Sequence, residues 1–337
     1  MNKAMRDHGL FRDGKQFELK QTDGVSHVGR GFEIMNGDCV KEIKRIPDNS
    51  IDLTVYSPPF SELFVYSGLP ADMGNVADDD EFFEGYEYLV KELYRVTRPN
   101  RAVAVHCSEL PNFKGKNGEV SLRDFPGDII RVHQEAGFVL HSRITIWKDP
   151  VVEMQRTKAH GLLHKTFTKD STATRAGMPD YLLIFRKYMP DHELTSPVPQ
   201  RRRIGDYVGT NPPTMTDDER KWSIEVWQRY ASPVWFDIDQ SNVLNYRKAR
   251  GEKDEKHICP LQLDVIGKTV DWLSKPDDIV FSPFAGIGSE GYESLRLDRQ
   301  FIGIELKENY YNQAVNNLTV ASDLGSQPTL FDSLDFG

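Results

Sequence analysis

Apolar and polar positions along the chain fall into short blocks that switch period. "FEIMN" (32–36) and "DLTVY" (52–56) show the two-residue alternation of strands. Between them "VKEIKRI" (40–46) places apolar residues three and four apart, as a short helix does, and "PDNS" supplies the turn. Residues 61–80 hold Gly68, Pro70 and Gly74 without a period and read as a loop. "DEFFEGYEYLVKELYRVT" (80–97) is an amphipathic helix stopped before Pro99, and "RAVAVHC" (101–107) is a buried strand. A helix at "PGDIIRVHQEAG" and strands at "FVLHSRITIW" (138–147) and "DYLLIF" (180–185) continue the order. From about 187 to 256 the alternation lapses into prolines, an isolated helix at "DDERKWSIEVWQRY" and an aromatic "PVWF", so this stretch reads as an inserted, non-core module. It then resumes with helix "LQLDVIGKTVDWL", strand "DDIVFS", turn "PFAGIGSEG", a helix, strand "QFIGIE" and helix "ENYYNQAVNNL". Such a βα chain predicts an α/β fold, a mostly parallel sheet with helices on both faces.

Two of the breaks carry candidate chemistry. The strand at 52–56 ends in Ser57-Pro58-Pro59-Phe60. Proline stops a central strand, and two in a row also make a stiff ledge holding a hydroxyl, a carbonyl and an aromatic ring in fixed relation. The second break, Gly286-Ile-Gly288-Ser289-Glu-Gly291, lies between a predicted strand and a predicted helix, the context that a ligand-cradling glycine turn requires. Glu305 ends the next strand, placed to accept hydrogen bonds from ribose hydroxyls, or else to favour the following helix N-terminus by its charge. The ligand expected here carries an adenosine ribose, as a dinucleotide and S-adenosylmethionine both do. A nicotinamide oxidoreductase would leave Ser57–Phe60 without a role.

Composition narrows the classes. The chain has 337 residues, 39% hydrophobic and 28% charged, with no apolar run long enough to span a bilayer and no apolar signal segment at its start, so a cytoplasmic protein is expected. Three widely spaced cysteines, Cys39, Cys107 and Cys259, argue against a disulfide framework and show no zinc spacing; no metal site is expected. The net charge of −9 weighs against nucleic acid, but the charge is uneven. Between Lys148 and Arg175, six basic residues (Lys148, Arg156, Lys158, Lys165, Lys169, Arg175) face three acids, and Arg201, Arg202 and Arg203 form a second cluster.

Taken together, these motifs resemble the amino-methylating DNA methyltransferases in their permuted, beta-type order. Ser57, Pro58, Pro59 and Phe60 match the family's catalytic signature, Gly37 and Asp38 its upstream Gly-Asp, Phe284, Gly286, Gly288 and Ser289 its cofactor loop, and Glu305 its ribose acid. His257, Pro260 and Gln262 are counterparts of the segment that opens the helix before that loop. Phe60 replaces the commoner tyrosine, and Ser282 the usual aspartate ahead of Pro-Phe. The resemblance covers about residues 30–320. It implies a Rossmann-like S-adenosylmethionine-dependent methyltransferase sheet, circularly permuted, with a target-recognition insertion. It also implies transfer to the exocyclic amino nitrogen of a flipped-out base, N4 of cytosine slightly favoured over N6 of adenine by the leading serine. Attack at cytosine C5 is set aside, because it uses a cysteine usually found after proline, and no cysteine here follows one. The alternatives are a DNA-binding relative without turnover and, more distantly, the nicotinamide oxidoreductase.

The expected organisation is a catalytic half at 25–189, including the basic loop 148–176, an inserted target-recognition region at 190–256, a cofactor-binding half at 257–320 and a tail at 321–337. Double-stranded DNA is the expected partner, held by Lys148, Arg156, Lys158, Lys165, Lys169 and Arg201–Arg203. No membrane partner is expected, and a second copy of the chain is a further candidate. The tail is acidic and follows a Gly-Ser break, which predicts disorder. Its Gln327, Leu330 and Phe331 resemble the Gln-x-x-Leu-Phe peptide that docks on the bacterial sliding clamp.

Overall fold

The computed structural model describes residues 9–12, 14–21, 24–60, 73–74, 79–112, 121–157, 160–190, 216–245 and 260–324. The strands are β1 (Leu10–Arg12), β2 (Lys15–Phe17), β3 (Val25–Gly29), β4 (Phe32–Asn36), β5 (Ile51–Tyr56), β6 (Thr97–Ser108), β7 (Leu110–Pro111), β8 (Leu122–Arg123), β9 (Val139–Ile146), β10 (Asp180–Arg186), β11 (Val234–Trp235), β12 (Ile279–Ser282) and β13 (Gln300–Glu305). The α-helices are α1 (Cys39–Glu42), α2 (Asp79–Val96), α3 (Phe125–Glu135), α4 (Pro150–Thr157), α5 (His164–Lys169), α6 (Asp217–Ala231), α7 (Leu263–Leu273), α8 (Ser289–Arg296) and α9 (Glu308–Leu324).

Nine strands form one sheet in the order β11-β9-β10-β6-β5-β12-β13-β4-β3. Its centre, β6-β5-β12-β13-β4, is parallel, while β10 and β3 join antiparallel. Alternate residues of each strand feed opposite cores. Val103, Val105, Leu183 and Phe185 bury with α2 and α3 on one face; Ala102, Ala104, Leu182 and Ile184 bury with α7, α8 and α9 on the other. Each fully buried aliphatic chain is worth about 1.5–3 kcal/mol over exposure, which is why the strands read as nearly continuous apolar runs. The helices form where their patterns predict. Phe82, Tyr86, Leu89, Val90, Leu93 and Val96 line the buried side of α2, and Asp124 caps α3 by accepting from Gly127 N at 2.9 Å.

Two parts of the sheet differ from the sequence expectation. "PVWF" supplies β11, which pairs parallel to β9, and Thr145 N donates to Pro233 O at 2.9 Å. The preceding helix α6 buries Trp222, Val226 and Tyr230, with Tyr230 stacked on Trp272 and its hydroxyl donating to Asp271 at 2.7 Å. The described part of the 190–256 insertion is thus joined to the core sheet, because its aromatic residues bury against α7. At the other edge β3 extends the sheet. The β1-β2 hairpin is fastened by Gln300, whose side chain accepts from Phe11 N at 2.6 Å and donates to Phe11 O at 2.5 Å. These short, half-polar strands carry no strong alternation. Cys39 and Cys107 are buried free thiols. No helix of the described residues is long and apolar enough to cross a membrane.

Candidate active site

Strand β5 stands where the sheet changes hand: β6 follows it on one side through α2, and β12 leads to β13 on the other through α8. With α2 and α8 on opposite faces, the carboxyl ends of β5 and β12 flank the topological switch point, the crevice position at which open α/β sheets bind ligands. Both motifs empty into it. Ser57-Pro58-Pro59-Phe60 leaves β5, and Pro283-Phe284 leaves β12; the rings of Tyr56 and Phe284 lie 5.8 Å apart across the join.

Pro58 and Pro59 are buried, whereas Ser57 and Phe60 are half-buried at the crevice. Phe60 is backed edge-on by Phe125 at 6.2 Å, and Phe125 leans on Phe82 and Phe83, each at 5.7 Å. The ledge therefore rests on an aromatic cluster that fixes one ring and leaves part of it open.

On the β12 side Gly286 (φ +54°) and Gly288 (φ +85°) both take the left-handed conformation. They do so for different reasons. A Cβ on Gly286 would meet no described atom within 4 Å, so that backbone borders open space; a Cβ on Gly288 would meet the Cβ of Ala314 at 3.2 Å, so Gly288 serves close packing of the turn against α9. Glu305 holds the turn, accepting from Gly286 N and from Lys307 N, both at 2.8 Å. Its carbonyl accepts from Gly37 N at 3.0 Å and from the Asn36 side chain at 2.8 Å, which brings the Gly37-Asp38 corner beside it. Asp38 caps α1, accepting from Val40 N at 2.9 Å. Gln262 stands at the N-cap of α7, with Pro260 just ahead of it.

Ser282 Oγ, Ser289 Oγ and Gln262 Oε1 are buried without a hydrogen-bond partner among the described residues. Polar atoms left over around an open glycine turn, with an acid at the next strand end, suit a polar nucleoside ligand. Within the same turn Glu290 is buried, and burial, reinforced by the charge of Glu305, pushes its carboxyl up to about 8.

The basic segment lies at this same edge, since Ile146 and Asp180, the strand residues that flank it, pair next to the end of β6. Lys165 and Lys169, expected to meet DNA, are exposed on α5. Lys148 is engaged instead, its Nζ 2.5 Å from Asp180 Oδ1, because a buried carboxylate captures the nearest cation. Arg175 likewise pairs with Glu153 at 3.6 Å. Lys158, Arg201, Arg202, Arg203, His257, Gln327, Leu330 and Phe331 lie outside the described residues, as does the side chain of Arg156. Sequence reading missed His106, whose Nδ1 lies 3.3 Å from Ser57 Oγ, and the exposed Trp147–Phe236 pair at the end of β9, with ring centres 6.5 Å apart. No local sequence signal points to His106; the strand register, Tyr56 opposite Val105, brings it to Ser57. Among the described residues no cluster of side chains could hold a metal ion.

With this geometry in hand, comparison with known proteins defines the class: residues 51–316 match the family model described as DNA methylase, and the chain belongs to this N6/N4 DNA methylase family. It is similar to the type II methyltransferase M.BglII of Bacillus subtilis, 25% identical over 89% of this chain and 74% of the relative. It is similar also to the DNA adenine methyltransferase YhdJ of Escherichia coli K12, 24% identical over 87% and 85%. Among solved structures it shares the fold of TTHA0409 from Thermus thermophilus, solved with S-adenosyl-L-methionine, with a TM-score of 0.56, 19% identity, and 85% and 94% of the two chains covered. The fold is that of the S-adenosylmethionine-dependent DNA methyltransferases, and S-adenosylmethionine is the cofactor.

Proposed function

We propose that the chain methylates the exocyclic amino nitrogen of a base flipped out of double-stranded DNA, with cytosine N4 the favoured acceptor and adenine N6 the alternative. The observation that carries this reading is the meeting of the Ser57–Phe60 ledge and the Gly286 turn in one crevice, linked by the 5.8 Å approach of Tyr56 and Phe284. The leading serine supports cytosine, by resemblance.

An exocyclic amino nitrogen is a weak nucleophile because its lone pair is delocalised into the ring. Ser57 Oγ and the Pro58 carbonyl are assigned as acceptors for its two hydrogens, so that the nitrogen pyramidalises and its lone pair points away from the ring. The buried prolines keep those acceptors from relaxing, which makes the contribution one of orientation and preorganised electrostatics. Flipping costs a few kcal/mol, and stacking on Phe60 returns about 1–3 kcal/mol of it. S-adenosylmethionine supplies the methyl group as an electrophile. Asp38, Pro260, Gln262, Phe284, Gly286, Ser289 and Glu305, together with His257, are assigned to hold it, with Glu305 on the ribose; Gly288 is assigned to the shape of the turn.

Incubation with methyl-labelled cofactor and duplex DNA, followed by mass spectrometry of the digested nucleosides, tests the reading. N4-methylcytosine or N6-methyladenine supports it, and label-free DNA contradicts it. We assign Gln327, Leu330 and Phe331 to sliding-clamp docking on the strength of their motif. Binding of the full chain to its host's clamp, lost on replacing Leu330 and Phe331 with alanine, is the expected result, and no binding by the parent contradicts it.

A further inference from the structure

Four polar side chains from four adjacent strands stand in line across the carboxyl edge of the sheet. Ser57 follows β5, His106 lies near the end of β6, Asp180 opens β10 and Lys148 follows β9. The pairing of Tyr56 with Val105 brings Ser57 Oγ to 3.3 Å from His106 Nδ1. His106 pairs with Leu182 and Ser108 with Asp180, so His106 and Asp180 share a face; His106 Nε2 lies 3.3 Å from Asp180 Oδ2, and Asp180 Oδ1 is 2.5 Å from Lys148 Nζ. His106 is 7% exposed and Asp180 4%.

The order of these groups fixes their hydrogens. Asp180 is buried, which opposes its ionisation, but the Lys148 cation 2.5 Å away and a proton offered by His106 favour the ionised form and hold its pKa below the ordinary carboxylate value. An ionised carboxylate can only accept, so we place the N–H of a neutral His106 on Nε2, which approaches Asp180 Oδ2 at 3.3 Å without making an aligned hydrogen bond, and leave the Nδ1 lone pair toward Ser57. Ser57 must then donate its single O–H to Nδ1. A serine hydroxyl is otherwise ambivalent, able to donate to a base as well as accept from it. With its hydrogen committed to His106, its remaining lone pairs can only accept from the amino group.

The geometry points to His106 as a positioning residue that makes Ser57 an obligate acceptor and receives, through Ser57, the proton that the methylated nitrogen must lose. This rests on the function proposed above. In the transfer the methyl carbon–sulfur bond breaks, its electrons staying on sulfur, and a carbon–nitrogen bond forms from the nitrogen lone pair, leaving the nitrogen positively charged. Its N–H proton passes to Ser57 Oγ as the Ser57 hydroxyl proton passes to His106 Nδ1. The base ends neutral, the serine is regenerated, and the imidazolium, facing Asp180, releases its proton to solvent. Lys148 keeps Asp180 ionised and so holds His106 in the accepting tautomer.

Turnover therefore requires Nδ1 of His106 free of a proton, so any protonation of the ring stops transfer. The charged groups nearest these strand ends, Arg143 on β9 and Glu109 beyond β6, gather with Tyr181 on the other face of the sheet. Glu109 accepts from Tyr181 at 2.9 Å and lies 3.9 Å from Arg143, so its charge is already matched. On the helices of the sheet face that His106 shares, α7 carries Asp264, Lys268 and Asp271, and α8 carries Glu290, Glu293 and Arg296.

The test is the single-turnover methylation rate against pH for the full chain and its variants, with cofactor binding and thermal melting measured on each. His106→Leu is expected to slow methyl transfer at least ~10-fold while cofactor affinity stays within about twofold, and to abolish the acid limb of the profile. His106→Asn, which can place an oxygen near the site of Nδ1, is expected to recover part of the rate without the limb. Asp180→Asn, offering an N–H where the carboxylate stood, is expected to turn the ring to the wrong tautomer and slow transfer to a similar degree; this variant carries the test if His106→Leu does not fold. A wild-type rate in either variant, or an acid limb that persists without His106, overturns the inference. Absence of methyl transfer by the parent chain would instead contradict the methyltransferase reading beneath it.

Discussion

Ser57 and Gly286 are the two residues on which the proposed chemistry turns, and each makes a prediction that separates catalysis from folding. Ser57→Ala removes one acceptor from a half-buried position and leaves the prolines in place. The rate of methyl transfer should fall at least ~10-fold while cofactor affinity is retained, read from single-turnover kinetics and calorimetry. Gly286 borders open space, so Gly286→Ala should fold, at a cost of about 1–2 kcal/mol for its left-handed backbone, and should weaken cofactor binding at least tenfold by filling that space. Gly288→Ala meets Ala314 instead, so it should lower the melting temperature first. Both glycines were legible in the sequence, as were the ledge and Glu305, because local motifs carry them. What separates the two glycines was not, since the contact with Ala314 spans residues far apart in the chain. His106 was hidden for the same reason: within "RAVAVHC" it looks like one polar residue in a buried strand, and only the pairing with β5 and β10 gives it partners.

At the level of elements, α8 holds a buried acid at its first turn. A helix N-terminus favours an ionised carboxylate, but desolvation dominates, and Glu290 titrates near 8 in the folded chain against an ordinary value of 4.5. A raised carboxyl pKa means that the folded state binds the extra proton between those values, so stability falls as pH rises from about 4.5 to 8. Glu290→Gln, melted without cofactor, should remove that dependence and gain on the order of 4 kcal/mol at pH 8. An unchanged pH profile would show that Glu290 is not the titrating group. The core βα elements were readable because their periods are strong. The edge elements β3 and β11 were not: β11 is two residues long, and its place depends on Trp235 burying under β9 and on α6 seating Tyr230 against α7. Its aromatic residues read as part of an inserted, non-core module, but Trp235 is buried in the sheet core and Phe236, beyond the strand end, is 68% exposed.

For the whole molecule, the net charge of −9 means that attraction to DNA must be local. The segment between β9 and β10 brings exposed Lys165 and Lys169 to the edge where the crevice opens, whereas Lys148 and Arg175 are taken up by internal carboxylates. Replacing Lys165 and Lys169 with glutamine should weaken DNA binding and reduce the salt slope by about 2, since each phosphate contact contributes roughly 0.9; an unchanged slope would mean that these lysines face solvent in the complex. The crevice between β5 and β12 is proposed to deliver a methyl group to a base amino nitrogen. The most direct measurement follows methyl-labelled S-adenosylmethionine into duplex DNA and identifies the labelled nucleoside for the parent and for Ser57→Ala. Label is expected in N4-methylcytosine, or in N6-methyladenine, with transfer strongly slowed in the variant. Label at carbon 5 of cytosine, label outside the DNA, or equal transfer by Ser57→Ala would contradict that proposal.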